Sequence, residues 1–346
     1  MEHTKLRKGM LLGIGNPLLD VSAIVEKDVL DKYDMIPNNA ILAADIHKPL
    51  CGELIQKYNA QFIAGGSVQN SLRVAQWILE EPNVTTFFGC VGDDDYAKIL
   101  EKYARSNGVN VKYQCNKNEP TGTCAVLITD KNRSLCADLS AANTFTIDHI
   151  RIPENRQCIE NAEFYYISGF FLTVNPPTAL EVANYALSQN RPFIMNLSAP
   201  FISQFYTEPL MQLLPFIDIL LGNETEAEMF ASVQNFGTKD LKEIALKICE
   251  LSKKNSNRPR VCVITQGPNP VILAQNGKIT EFPVKEVTED KVVDTNGAGD
   301  AFVGGFLAQL VMGKTLDVCI KCGIWTATEI IQKSGCTVEG KASFTV

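Results

Sequence analysis

The sequence predicts an α/β protein in which helices cover both faces of a mostly parallel central sheet, with a small β-rich lid attached. Near-continuous apolar segments alternate with segments of helical spacing, most regularly from residue 163 onward. Strands that are apolar throughout are typical of parallel sheets buried on both faces, which gives three layers, α/β/α. Residues 19–66 and 117–142 fit this alternation poorly and are assigned to the lid. The remaining segments, 1–18, 67–116 and 143–346, form the predicted large domain.

The first half of the chain contains four predicted strands and two predicted helices. The first strand is a short apolar run that ends in Gly15, and the first helix follows Gly65-Gly66 with apolar residues at helical spacing. Gly108 marks the end of the second helix. Two strand-like segments flank Asp130-Lys131-Asn132, which indicates a hairpin. In chain order, the elements are strand 10–15, helix 67–80, strand 85–91, helix 93–107 and strands 123–129 and 134–139.

The second half alternates short apolar strands with helical stretches, as expected for a parallel sheet. Asn276-Gly277 indicates a tight turn between two antiparallel strands. In chain order, the predicted elements are strands 164–167, 193–197, 217–221 and 261–265, a strand pair within 270–284, and helices 299–312 and 316–333.

Composition excludes several kinds of partner. A chain of 346 residues, 45% hydrophobic and 21% charged, is long enough for one large α/β domain with a smaller appendage. The formal net charge of −7 argues against nucleic acid or an anionic membrane as the main partner. No secretory signal opens the chain and no apolar run approaches a membrane span. We therefore expect a cytoplasmic protein. A monomer is also expected, although composition does not determine the assembly state.

Three motif-like patterns are better explained by structure than by function. The 11 cysteines are odd in number and lie mostly in apolar segments, which indicates reduced thiols. Cys319 and Cys322 match CxxC within a predicted helix, where two packed thiols are favoured over a zinc or redox site. Gly313 begins a Walker-like Gly-Lys-Thr, but it lies at a helix end and is predicted as a helix C-cap. Gly13 and Gly15 lack the third glycine of a dinucleotide fingerprint, which argues against a dehydrogenase.

The segment most suggestive of chemistry is 294–306. It follows the β-branched pair 292–293 and enters an apolar helical pattern, which predicts a strand–turn–helix junction. The N–H groups of residues 297–299 lie at the positive end of the helix dipole without intrahelical partners, which favours an anion. Asp300 falls in the first helical turn, where a carboxylate can accept a proton from a hydroxyl group that attacks a phosphate. A plain helix cap is the structural alternative.

Polar residues follow other predicted strands. Asp20 and Asn16 come after the first strand, at the edge where α/β folds bind ligands, and suit a vicinal diol and an amide-like edge. An ordinary Asn-Pro turn is the alternative there. Ser67 follows two glycines at a predicted lid boundary and fits a helix N-cap, a hinge or a close-approach loop. Asn223 and Glu226 have the spacing of a capping box.

Together these motifs resemble those of the ribokinase/PfkB family of carbohydrate and nucleoside kinases. Residues 294–300 read D-T-N-G-A-G-D and are similar to the family signature D-T-x-G-A-G-D, while 15–20, 65–70 and 223–226 match further family motifs. The resemblance covers nearly the whole chain. It implies a ribokinase-like fold, in which two insertions build the lid.

Within that family, the run that continues to Phe306 is most similar to members that phosphorylate adenosine. This implies a purine-salvage kinase that transfers the γ-phosphate of ATP to the 5′-hydroxyl of adenosine and gives AMP. Its partners would be adenosine and ATP, and its cofactor Mg²⁺.

The resemblance also implies roles for particular residues. Asp300 would be the general base, the amides of Gly297 and Gly299 an anion hole, and Arg133 a lid arginine that moves onto the phosphates. Residues implied to bind the nucleoside are Asn16, Asp20, Gly66, Ser67, Asn70, Phe171 (or its neighbour Phe170), Glu289 and Asn296. Residues implied to contact ATP are Asn223, Thr265, Gly267 and Ala298, with Glu226 binding Mg²⁺ through water.

One position departs from the family pattern. Glu289 stands where a glutamine that contacts the nucleoside is expected, and an ionised Glu accepts hydrogen bonds but cannot donate them. Two alternatives therefore stay open. One is a kinase of the same fold acting on inosine, guanosine or a sugar, and the other is a nucleoside-binding protein without catalysis.

Overall fold

The computed structural model describes residues 5–129 and 132–345, apart from the side chain of Glu289. Its strands form two separate sheets. In chain order, the strands are β1 (Leu11–Ile14), β2 (Leu18–Ile24), β3 (Ala40–Leu42), β4 (Gln61–Gly65), β5 (Thr85–Gly92), β6 (Asn110–Asn116), β7 (Thr123–Thr129), β8 (Asn132–Asp138), β9 (Phe164–Ser168), β10 (Phe193–Asn196), β11 (Ile219–Asn223), β12 (Val261–Gln266), β13 (Asn269–Gln275) and β14 (Lys278–Phe282).

The larger sheet has nine strands in the order β14-β13-β12-β11-β10-β9-β1-β5-β6. All its neighbours pair in parallel except at one edge, where β12, β13 and β14 form an antiparallel meander. The turn of that meander has positive φ at Asn276 (51°) and Gly277 (70°), as the Asn-Gly pair predicts. The carboxyl ends of β1, β9, β10, β11 and β12 therefore meet at one edge of the sheet, where ligand sites of such folds lie.

Helices enclose this sheet on both faces. Neighbouring residues of β1 and β9 alternate between two separate hydrophobic cores: Leu12 and Tyr165 belong to one, and Leu11 and Tyr166 to the other. The helices are α1 (Lys27–Lys32), α2 (Leu50–Lys57), α3 (Ser67–Leu79), α4 (Asp95–Ser106), α5 (Ile147–Arg151), α6 (Pro153–Asn161), α7 (Pro176–Ser188), α8 (Pro200–Phe205), α9 (Thr207–Leu213), α10 (Glu224–Val233), α11 (Leu241–Glu250), α12 (Ala298–Val311) and α13 (Leu316–Ile330). Helices α7, α10 and α11 bury apolar faces in the first core, and α3, α12 and α13 in the second. The predicted three-layer α/β/α class is thereby confirmed.

The smaller sheet has five strands in the order β3-β8-β7-β2-β4. One face packs against α1 and α2 through Val29, Leu30, Leu50 and Leu54. The opposite face carries a second apolar cluster that includes Leu18 on β2. This sheet draws strands from 18–65 and 123–138, so a small β-rich unit is present, while the exact domain boundaries stay a prediction.

Most predicted elements are present within two residues of their predicted ends. The strand β6 was missed because its polar and charged residues show no apolar run, and it lies at the edge of the sheet. The predicted strand at 292–293 is wrong: these residues belong to no strand, and the N–H of Val293 donates to the carbonyl of Ile331. Residues 130 and 131 of the predicted hairpin turn lie outside the described residues.

The motifs attributed to structure are explained by their positions. Cys319 and Cys322 are buried within α13, and no group of three metal-ligating side chains was found among the described residues. Gly313 has a φ of 70° after α12, as expected for a residue that ends a helix. Within the described part of the chain, no helix combines the length and apolarity that crossing a membrane would need.

Candidate functional site

A cavity of about 220 Å³ opens where the carboxyl edge of the larger sheet faces the smaller sheet. The motif residues that line it come from the loop after β1, from β2, from the start of α3 and from the loop before α12. Its polar lining includes Asn16, Asp20, Ser67, Asn70, Asn296 and Asp300, and its apolar lining includes Leu18, Leu42, Leu135, Leu139, Phe170 and Phe201. A mostly apolar cavity with a few converging polar groups is typical of a small-molecule site.

Asp300 lies at the wall of this cavity in the first turn of α12, as predicted. The Ser67 hydroxyl donates to its Oδ1 at 2.7 Å, and the Asn70 Nδ2 donates to its Oδ2 at 3.0 Å. Burial raises the pKa of Asp300 to about 6, and the two hydrogen bonds limit that rise by stabilising the ionised form. The site thus holds an oriented carboxylate that can accept a proton near neutral pH.

Ser67 is not the N-cap of α3, which was one of the alternatives for this residue. Gly66 is the N-cap of α3, with a φ of 94°, and Ser67 is the first helical residue. A Cβ at Gly66 would lie 2.4 Å from the carbonyl oxygen of Asn16, so only glycine fits where the two loops meet. This close approach leaves the Ser67 hydroxyl free to bind Asp300.

Asp20 lies on β2 against the backbone of Gly65, where an added Cβ would lie 2.3 Å from its Oδ1. Burial, followed by repulsion from Asp300 and Asp294, raises the pKa of Asp20 to about 8. The side chain of Asn296 opposes that rise. Two carboxyl groups, Asp20 and Asp300, therefore face one cavity.

The loop before α12 presents unpaired N–H groups. Gly297 is the N-cap, with a φ of 77°, and an added Cβ would lie 2.8 Å from the Cβ of Cys336. Among the described residues, no acceptor takes the N–H of Gly297 or Gly299. The N–H of Ala298, which was expected to be free, instead donates to the carbonyl of Thr295 at 3.3 Å. Two free amides at a helix N-terminus form a site suited to an anion.

Asp294, at the start of the signature, connects three parts of the chain. It accepts hydrogen bonds from the N–H of Asn296 at 2.8 Å and from the N–H of Gly335 at 2.9 Å. Arg133, on β8 of the smaller sheet, donates its Nε to the same carboxylate at 2.8 Å and its Nη2 to the carbonyl of Val293. Arg133 therefore lies against the signature loop.

None of the four predicted ATP residues lines the cavity. Ala298 lies between Gly297 and Gly299 at the start of α12, and the other three lie farther along the same edge. Asn223 and Thr265 are register partners at the ends of β11 and β12, and Gly267, with a φ of 54°, follows in open space. Asn223 and Glu226 form the predicted capping box. Glu226 is 5% exposed, accepts from the N–H and Nδ2 of Asn223 at 2.9 Å each, and has its pKa raised by burial to about 7.

Phe171 is not the cavity aromatic. Its side chain is fully buried in the core and packs edge-on against Phe145 at 5.6 Å. Phe170 lines the cavity instead and lies 6.0 Å from Phe201. Consecutive residues of a helical turn point in different directions, so the sequence alone did not separate the two.

Asn16 is 6% exposed, and its Nδ2 donates to the carbonyl of Phe170 at 3.4 Å. Its Oδ1 has no partner among the described residues, which makes it a buried acceptor at the cavity wall.

The backbone of Glu289 begins a short helical turn, but its side chain lies outside the described part of the structure.

Sequence reasoning missed the apolar wall supplied by the smaller sheet. Leu42, Cys124, Leu135 and Ala137 come from three different strands of that sheet, and Phe201 comes from α8. The short apolar run 135–137 on β8 was an available signal, and it does not say what the strand covers.

Comparison with known proteins agrees with this geometry. Residues 28–341 match the model of the pfkB family of carbohydrate kinases. The chain is 48% identical over 336 residues to adenosine kinase 2 of Arabidopsis thaliana, covering 97% of each chain. It is 43% identical over 329 residues to adenosine kinase of Dictyostelium discoideum, covering 95% of this chain and 96% of the relative.

Solved structures give the same result. Anopheles gambiae adenosine kinase in complex with P1,P4-di(adenosine-5) tetraphosphate is 60% identical, with a TM-score of 0.97 over 98% of this chain and 100% of the other. Adenosine kinase from Schistosoma mansoni in complex with 2-fluoroadenosine is 32% identical, with a TM-score of 0.94 over the same shares. The chain therefore belongs to the pfkB family of carbohydrate kinases, within which it groups with the adenosine kinases.

Proposed function

We propose that the protein is an ATP-dependent adenosine kinase, which transfers the γ-phosphate of ATP to the 5′-hydroxyl of adenosine and releases AMP and ADP. The observation that carries the proposal is the position of Asp300. Its carboxylate faces a largely apolar cavity and lies in the same turn as the free amides of Gly297 and Gly299. The similarity to adenosine kinases, one of them bound to 2-fluoroadenosine, supports adenosine as the acceptor.

Asp300 would act as the general base. As the 5′-oxygen forms its bond to the γ-phosphorus, the hydroxyl proton passes to the carboxylate, and the bond to the bridging oxygen of ADP breaks. A pKa raised to about 6 supports this role, because a base is most effective when its pKa lies near the working pH. Ser67 and Asn70 would fix the carboxylate toward the acceptor hydroxyl.

The nucleoside would lie between the two sheets. Asp20 would accept hydrogen bonds from the ribose hydroxyls, next to Gly66 and Asn296. The unpaired Oδ1 of Asn16 would accept a hydrogen bond from the adenine, and Phe170 would stack on the ring. The apolar wall from the smaller sheet supports a nucleoside rather than a free sugar, since a sugar offers no apolar face of that size.

The phosphates would lie along the carboxyl edge of the larger sheet, outside the cavity. The amides of Gly297 and Gly299 would stabilise the charge that develops on the transferred group. Asn223, Thr265, Gly267 and Ala298 would contact ATP. Arg133 would leave Asp294, or share it, to reach the phosphates when the lid closes over the substrate and excludes water.

Glu226 suits a magnesium ion bound through water. Both of its oxygens already accept hydrogen bonds from Asn223, and no cluster of carboxylates surrounds it among the described residues. The remaining lone pairs can accept hydrogen bonds from waters, and Mg²⁺ usually keeps several waters. The ion would neutralise phosphate charge during transfer.

We also propose a cytoplasmic monomer. All 11 cysteines are free thiols, which supports a reducing compartment. Light scattering of the purified chain would test the assembly state.

The decisive experiment measures AMP formation from ATP and Mg²⁺ with adenosine, inosine, guanosine or ribose as acceptor, with Asp300→Asn as the control. We expect adenosine to be preferred and turnover to fall by about 10²–10⁴-fold in the variant. Preference for another acceptor would reject adenosine and keep the mechanism. Adenosine binding without turnover in the wild type would favour a binding protein instead.

A further inference from the structure

Arg73 is a buried cation close to the catalytic end of the site. It lies on α3, three residues after Asn70 and six after Ser67, so all three project from neighbouring turns of one helix face. Its side chain is 3% exposed, and none of its hydrogen bonds to the described residues goes to a carboxylate. Asp20 attracts this charge from a distance, without a hydrogen bond. Burying a charge without a hydrogen-bonded opposite partner is costly, so this arginine needs an explanation.

The hydrogen bonds of Arg73 form a chain that leads to Asp300. Its Nη1 donates to the Oδ1 of Asn70 at 3.3 Å, and the Nδ2 of the same amide donates to Asp300 at 3.0 Å. On the side of the guanidinium away from Asn70, the Nε of Arg73 donates at 2.7 Å to the Oδ1 of Asn107, the C-cap residue that follows α4. A further bond at 3.3 Å reaches the carbonyl of Ala64.

This chain determines which way the Asn70 amide points. A guanidinium can only donate hydrogen bonds, and an ionised carboxylate can only accept them. The Asn70 oxygen must therefore face Arg73, and its NH₂ group must face Asp300. Without Arg73, the amide could turn its oxygen toward other donors and give up the bond to the carboxylate.

A second buried arginine shows what a purely structural role looks like. Arg260 is 2% exposed and precedes β12, at the edge of the sheet opposite the cavity. Among the described residues, its five hydrogen bonds all go to backbone carbonyls. Arg73 instead directs two of its three bonds to side-chain amides, one of which contacts the base.

We propose that Arg73 is a positioning residue for phosphoryl transfer: it orients the Asn70 amide, which in turn holds the carboxylate of Asp300. Asn107 anchors the guanidinium from behind. The inference rests on the proposed role of Asp300 as the base. Arg73 itself does not touch the substrate cavity.

Other ionisable groups surround Asp300 and bear on any pH measurement. They are Asp20 on β2, Tyr166 on β9, Glu226 on α10, Asp294 before α12, and Cys336 near the C-terminus. None of them contacts Asn70 in a hydrogen bond among the described residues. The charge of Arg73 also lowers the pKa of Asp20 and of Cys336, so the charge-keeping variant Arg73→Lys separates the effect of the amide from the effect of the charge. Loss of that amide bond raises the pKa of Asp300, which moves the acidic limb of the kcat profile to higher pH.

The test is a double-mutant cycle of Arg73→Met and Asn70→Ala, with kcat measured against pH for adenosine. We expect Arg73→Met to lower kcat roughly 10-fold and to shift the acidic limb of the kcat profile to higher pH. The KM for ATP should change little. In the Asn70→Ala background, Arg73→Met should have no further effect. The proposal would be overturned if the two substitutions lowered kcat by independent factors that multiply in the double variant. It would also be overturned if Arg73→Met left the acidic limb of the kcat profile unchanged.

Two further variants cover the possibility that Arg73→Met does not fold. Arg73→Lys keeps the charge but cannot hold both amides, and Asn107→Ala removes the anchor; both should shift the limb in the same direction by less. Arg260→Lys is the matched control, which should cost stability without moving the limb. If neither Arg73→Lys nor Asn107→Ala moves it, the proposal is wrong.

The inference can be separated from the proposed function. Titration of the Asp300 carboxyl carbon by NMR, in the unliganded wild type and in Arg73→Lys, needs no turnover. If the wild type fails to phosphorylate adenosine but the Asp300 pKa still rises in the variant, the function is wrong and the coupling stands. If the enzyme is active and the pKa is unchanged, the coupling is wrong and the function stands.

Discussion

Burial raises the pKa values of individual carboxyl groups at the site. Asp300, Glu226 and Asp20 have pKa values raised to about 6, 7 and 8, and burial is the largest cause in each. Carboxylates that share a small region repel one another, which adds to the rise at Asp20. The unliganded site is therefore poised to change protonation near neutral pH.

The first prediction concerns the pH dependence of the reaction. Asp300 is active as a base only when ionised, so kcat/KM for adenosine should fall as the pH drops below about 6. The hydrogen bond from Ser67 stabilises the ionised form, so Ser67→Ala should move this limb to higher pH. Initial rates between pH 5 and 8 would measure it. Ser188→Ala, at an exposed helix end, is the control. If kcat/KM falls at the same pH in both variants, the prediction is contradicted.

The second prediction concerns stability. Since the pKa of Asp20 is raised from 3.8 to about 8 on folding, the folded chain binds the extra proton between those values. The free energy of unfolding should therefore fall as pH rises through that range, by at most about 1.4 kcal/mol per pH unit from this group. Asp20→Asn should remove that slope. The free energy of unfolding of the variant, relative to that of the wild type, should therefore increase from about pH 5.5 to about pH 7.5.

Urea denaturation of the unliganded proteins at several pH values would test this. His149, whose pKa burial lowers, contributes the opposite slope in both proteins, so the difference between them is the quantity to compare. Parallel pH dependences in wild type and variant would show that Asp20 ionises normally.

At the scale of elements, the site depends on how closely α3 approaches α12. Gly304 on α12 faces α3, and an added Cβ there would lie 2.6 Å from both the carbonyl oxygen of Ser71 and the Cβ of Val74. Because α3 carries Ser67 and Asn70 while α12 carries Asp300, the distance between the helices sets the hydrogen bonds of the base.

The third prediction follows from that contact. Gly304→Ala should destabilise the protein by about 1–3 kcal/mol through overpacking and should lower kcat, because α3 must move away from Asp300. Gly52 is an exposed residue of α2 with open space around it, so Gly52→Ala should stabilise the protein by about 0.5–1 kcal/mol without loss of activity. Denaturation curves and kcat of both variants provide the test; full activity in Gly304→Ala would reject the spacing argument.

At the scale of the whole molecule, a nearly buried ion pair joins the smaller sheet to the signature loop before α12. The side chains of Arg133 and Asp294 are 9% and 3% exposed. Removing one partner of such a pair leaves the other charge buried alone, which costs more than losing a surface pair.

The fourth prediction is that Arg133→Met lowers stability by about 3 kcal/mol and kcat by about 10²-fold. Amide exchange in β7 and β8 should also become faster, because the smaller sheet loses its tie to the loop. Arg151→Met breaks an exposed pair with Glu181 and should cost at most about 1 kcal/mol. Unchanged exchange in β7 and β8 would mean that the pair does not hold the sheet.

Much of the fold and part of the site could be predicted from local sequence. Near-continuous apolar runs identified most strands of the larger sheet, because burial on both faces leaves few polar positions in a strand. The edge strand β6 has no continuous apolar run, because Val111, Tyr113 and Cys115 alternate with polar residues. The signature loop was recognisable because its glycines and its helix N-terminus lie within a few residues of one another, although the strand expected before it is absent.

The sequence by itself determined the α/β class, the Asp300 turn and the capping box at Asn223, since each depends on neighbours close in the chain. Only the tertiary structure decided that Ser67 binds Asp300 from 233 residues away, that Phe170 rather than Phe171 faces the cavity, and that Arg73 supports Asn70. The physical reason is that burial, pKa and hydrogen-bond partners are set by whichever distant element packs against a residue, and short-range spacing carries no record of that element.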